Sequence, residues 1–89
     1  MAIHPTDAAA SRRRSLLATL LFAPAATATV RELLRDMEVV HNIPASADLL
    51  RGDLSWLREQ GLVQYVADTA QITERGRDVA RRAAPWPGE

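Results

Sequence analysis

Pro24, Pro44 and Gly61 cut the chain into blocks no longer than one helix or one hairpin, because proline cannot continue a helix interior and glycine readily takes the left-handed conformation that ends one. The first three blocks each hold a single apolar stripe. Leu16, Leu17, Leu20 and Leu21 recur at i, i+1, i+4 and i+5, which predicts an amphipathic helix over about residues 8–22. A short extended connection at 25–28 leads to Thr29-Val30-Arg31-Glu32, a capping box, and then Val30, Leu33, Leu34 and Met37 form the stripe of a second helix. After a turn at 41–45, Ser46 caps a third helix with Leu50, Leu54 and Leu57 inward, and Gly61 closes it. Residues 62–66 and 70–73 read as two strands joined by Ala67-Asp68-Thr69, a small two-stranded wing. Thr73 caps a last helix reaching about Ala83, with Val79 inward, and Pro85 and Pro87 impose extended, polyproline-like backbone on the tail.

This pattern is mainly α with a small β wing, in a chain whose 89 residues suit one domain. Residues 1–10 are expected to be a flexible tail, 11–83 the folded domain and 84–89 an extended tail carrying Trp86. With 47% apolar and 25% charged residues the composition is globular, and the absence of cysteine removes disulfides and thiolate-bound zinc. Packing alone must hold the core. Eleven cations balance eleven acids, and every cation is arginine. The sixteen alanines point to a GC-rich coding bias, whereas the planar arginine fork also suits phosphate and carboxylate recognition.

Ser11-Arg12-Arg13-Arg14-Ser15-Leu16-Leu17 resembles a twin-arginine export signal, with small residues at Ala26-Thr27-Ala28 that a peptidase accepts. Cleavage there would delete the leucines of the first helix from a core that needs them. No apolar run reaches the length of a membrane span. The expectation is a cytoplasmic protein without a membrane partner.

The order helix, helix, turn, helix, hairpin, helix resembles a winged helix-turn-helix domain. The phrase from Asp53 to Val63, with Trp56, Leu57, Gly61 and Leu62, looks like the end of that family's recognition helix and its first wing strand. Ile72-Thr73-Glu74-Arg75-Gly76 resembles the start of the helix after the wing in bacterial regulators. The Trp-Leu phrase and the size are similar to small winged-helix proteins of Mu-like phages and prophages. The resemblance implies a DNA-binding transcriptional regulator whose third helix enters the major groove of double-stranded DNA. It also implies a homodimer. The candidate DNA-binding residues are Ser46, Asp48, Arg51, Ser55 and Arg58 on the outward face of helix three, with Arg51 best suited to fork onto guanine, and Arg12, Arg13 and Arg14 for phosphates.

Charge placement pulls the other way. Residues 1–23 carry +2, residues 24–61 carry −2 and residues 62–89 are neutral, so the reading head is acidic. DNA affinity comes largely from cations that release counterions. The arginine triplet also reads as a solvated face of helix one, and Arg51 as a surface partner of Asp48. The alternative function is a protein-interaction module, for instance a phage component, that docks through Leu49 and Trp56 on one stripe and through Trp86. Each tryptophan either packs on its own domain or anchors a partner. Catalysis is not expected: His4 and His41 belong to no ligand-spaced cluster, the four glycines are scattered, and the acids read as helix-surface charges. No cofactor or metal is implied.

Overall fold

Three side-chain oxygens start three of the helices in the computed structural model, which describes residues 5–89. Thr29 accepts from the Glu32 N–H at 3.1 Å and Glu32 returns an acceptor to the Thr29 N–H at 3.0 Å, so the capping box opens α2, Val30–Val39. Hydrogen bonding to the Thr29 N–H first, and to the Thr29 side chain second, holds the Glu32 carboxyl below its ordinary pKa. Ser46 accepts from Leu49 N–H ahead of α3, Ala47–Glu59, and Thr73 accepts from Gly76 N–H ahead of α4, Glu74–Ala80. Each cap supplies an acceptor to a first-turn N–H that the helix itself leaves unpaired. Helix α1, Pro5–Phe22, starts ahead of the expected Ala8 and takes in residues assigned to the tail. His4 and the rest of residues 1–4 lie outside the described residues.

The sheet has three strands, not two. A tight turn at Pro24–Ala26, with Ala25 and Ala26 both at positive φ, swings the chain from α1 into β1, Thr27–Thr29. The hairpin strands are β2, Val63–Val66, and β3, Thr69–Ile72. Strand order is β1-β3-β2, antiparallel throughout, with Ala28 opposite Ala70 and Val63 opposite Ile72. A three-residue strand is too short to register as alternation in the sequence, and it forms here because β3 offers a second edge. Ala67 and Asp68 at φ +52° and +59° make the two-residue hairpin turn, whose twist matches that of the strands.

Leu16, Leu17 and Leu20 of α1, Leu33 and Met37 of α2, and Leu50, Leu54 and Leu57 of α3 meet over Ala70 and Ile72 in one core. The arrangement is a mainly helical α+β fold with a small antiparallel sheet. Gly61, at φ +76°, closes α3 with Gly61 N–H to Arg58 O at 2.9 Å and Leu62 N–H to Leu57 O at 3.0 Å, a Schellman closure. Thr73 then ties α4 to that closure, donating its hydroxyl to Gly61 O at 2.7 Å and its N–H to Leu62 O at 3.0 Å. Helix α4 stops at Ala80, short of the expected Ala83, because Arg82 turns left-handed and the N–H groups of Arg82 and Ala83 fold back onto Val79 O and Asp78 O.

Close approach at the Gly61–Thr73 junction gives a direct test. A Cβ at Gly76 would lie 2.1 Å from Leu62 O, whereas one at Gly52, inside α3, meets nothing within 4 Å. Gly76→Ala should lose about 3 kcal/mol of stability in urea denaturation. Gly52→Ala should gain about 1 kcal/mol through helix propensity. Equal effects at the two positions would contradict this packing.

Candidate nucleic-acid interface

Asp53 is 1% exposed, on the same face of α3 as Leu50, Leu54 and Leu57. A buried carboxylate needs cations and donors around it. Helix α1 supplies both: Arg12 Nε donates to Oδ2, Arg12 Nη2 to Oδ1 at 2.9 Å and Arg13 Nε to Oδ1 at 3.0 Å. The Asp53 hydrogen bond raises the Arg12 pKa above its ordinary value, against the opposing effect of burial. This corrects two expectations. Asp53 is no surface charge, and Arg12 and Arg13, with side chains 15% and 24% exposed, are not a solvated face. Among the described residues, no buried side-chain polar atom lacks a partner.

Aromatic rings extend the cluster. The Arg13 guanidinium carbon sits 4.5 Å above the Trp56 ring centre, Trp56 stacks on Trp86 with centroids 5.7 Å apart and planes at 30°, and the Arg14 guanidinium lies 5.0 Å from Trp86. Arg14 Nη2 also donates to Glu89. The tail therefore does not run extended. It folds back over α1 and α3, with Glu89 N–H bonded to Trp86 O at 3.0 Å. Trp56 is covered by this tail and by Arg13, and both tryptophans are half-buried in their own domain. Leu49, on the same stripe, stays 40% exposed.

The outward face of α3 meets the hairpin tip through Arg51. Its Nε faces both Asp68 oxygens at 3.2 and 3.3 Å, Nη2 donates to Asp68 Oδ2 at 2.9 Å, and Nη1 donates to Asp48 Oδ1 at 2.9 Å. Tyr65 Oη donates to Asp68 Oδ1 at 2.9 Å. Arg51 and Tyr65 together hold the Asp68 carboxyl below its ordinary pKa. Asp68 and then Asp48 raise that of Arg51, while burial first and Asp68 second raise that of Tyr65. The Asp68 backbone carbonyl accepts from Val30 N–H at 2.9 Å, so one turn residue touches both α2 and α3. Arg58 Nη1 donates to Tyr65 O at 3.3 Å. The Ser46 hydroxyl oxygen is used in its cap, Ser55 is half-buried, and the Asp48 side chain is 93% exposed.

The structure thus brings Asp48, Arg51 and Arg58 together beside the hairpin with Ser46 at the helix start, and keeps Arg12, Arg13 and Arg14 in a separate cluster. Asp53, Asp68 and Tyr65 were missed as site residues. Asp53 had a signal, since it lies three residues after Leu50 and four before Leu57. Among the described residues, no helix is long and apolar enough to cross a membrane, and no group of His, Asp and Glu is placed to hold a metal. The chain matches no family model, no curated protein and no solved structure.

Removing the outer ring tests the tail. Trp86→Ala should uncover Trp56, shift its fluorescence to longer wavelength and lower stability by about 1.5 kcal/mol. Unchanged Trp56 emission would show that the tail does not cover it.

Proposed function

We propose that the chain is a winged helix-turn-helix protein that docks duplex DNA with the outward face of α3 and the β2–β3 hairpin, acting in the cytoplasm as a small regulator of phage or prophage origin. The observation that carries this reading is the Asp68 junction. Its side chain holds Arg51 of α3 and its backbone holds the start of α2, so helix pair and hairpin form one continuous surface. A recognition helix with a wing beside it is the arrangement that sets side chains in the major groove and strands against the backbone. The Trp56-Leu57 and Thr73-Gly76 phrases support the family, and the leucines of α1 in the core support a retained N-terminus.

Arg12, Arg13 and Arg14 add nothing to that surface, being held by Asp53 and Glu89. The phosphate contacts that these three would have supplied are lost, so binding should be weaker and its salt slope shallower than with the triplet free. A second reading, a protein-interaction module, draws on the pairing of Arg51 and Arg58 within the chain and on two exposed apolar residues, Leu49 on the Trp56 stripe of α3 and Val66 on the hairpin. Fluorescence anisotropy of labelled duplexes at low and at high salt separates the two. The DNA reading expects measurable affinity at low salt and a roughly tenfold or greater loss of affinity for a preferred site in Arg51→Ala. No affinity for any duplex at low salt would leave the interaction module.

A further inference from the structure

Five N–H groups belong to an arginine guanidinium. In Arg51 three have partners: the one on Nε and one on Nη2 face Asp68, and one on Nη1 faces Asp48. Two remain, one on each terminal nitrogen, and they form the Nη1–Nη2 edge of the guanidinium when Asp48 takes the Nη1 hydrogen on the Cδ side. In the major groove only guanine offers two adjacent acceptors, O6 and N7, to such a pair, whereas adenine sets a donor beside its N7 and thymine a single O4. The acids that weaken attraction to phosphate therefore also fix the reader. Asp68 is itself held by the Tyr65 hydroxyl, by the Val30 N–H on its carbonyl and by the left-handed turn at φ +59°. A long side chain immobilised in advance loses less freedom when it binds.

We infer that Asp68, Asp48 and Tyr65 are positioning residues that hold Arg51 to read a guanine at one position of the DNA site. This rests on the DNA reading given above. It assigns to the hairpin tip a specificity role through Arg51, with no base contact of its own. It also makes an unusual demand: removing the Asp68 charge must raise affinity for DNA in general while lowering the preference for guanine.

The test is selection of bound duplexes from a randomised pool with the full chain, followed by anisotropy. The selected duplex is compared with versions carrying 7-deazaguanine or adenine at the fixed position. Wild type should lose at least about tenfold on either replacement. Asp68→Asn, which suits a left-handed turn, should bind a random duplex several-fold more tightly and keep little of that ratio. Tyr65→Phe and Asp48→Ala should each reduce the ratio in part. A selected site with no fixed guanine, or a guanine preference that survives all three substitutions, would overturn this inference and leave the DNA reading standing. Absence of binding to every duplex at low salt would overturn both.

Discussion

A carboxylate inside a core this small cannot remain without cations, and that requirement shapes the molecule around Asp53. Two consecutive arginines of α1 converge on it, which fixes how α1 crosses α3. A buried ion pair gains little net stability over an apolar replacement, because desolvation offsets most of the attraction, but removing one partner alone is costly. The contribution of the cluster is therefore chiefly to geometry. Arg13 can bond Asp53 through Nε while its planar face lies on Trp56, a double contact that an ammonium group lacks. The all-arginine composition thus has a structural use at this position, whatever its origin in the genome.

From that anchor follows the division of labour among the charges. With Arg12 and Arg13 on Asp53, and Arg14 between Trp86 and Glu89, the basic first helix of the sequence is neutralised within the fold. Arg51 and Arg58, on the proposed DNA face, are each tied to the hairpin. A surface of this kind attracts DNA weakly. On the proposed reading it would draw selectivity from a preset geometry rather than affinity from a positive field.

Local signals were legible wherever one residue type does one job. Thr29, Ser46 and Thr73 cap the helices they were expected to cap, Gly61 closes α3, and the leucine stripes face the core. What stayed hidden depends on partners distant in sequence. Strand β1 exists only through pairing with β3, some forty residues further on. The tail folds back because Trp86 finds Trp56 and Arg14, which no local pattern encodes. Asp53 lies between: its spacing from Leu50 and Leu57 marks a core position, but its charge reads as surface until Arg12 and Arg13 are seen beside it. Asp68 reads in the sequence only as part of a turn, and its contacts with Arg51 and Tyr65 come from residues that the fold brings to it.

The central claim is that Asp53 and the α1 arginines act as one unit that sets α1 on α3. A double-mutant cycle with Arg12→Gln and Asp53→Asn, followed by urea denaturation, tests it most directly. Asp53→Asn alone should cost about 3 kcal/mol, and the double variant should fall short of the sum of the single losses by at least about 1 kcal/mol. Strictly additive losses would contradict the account.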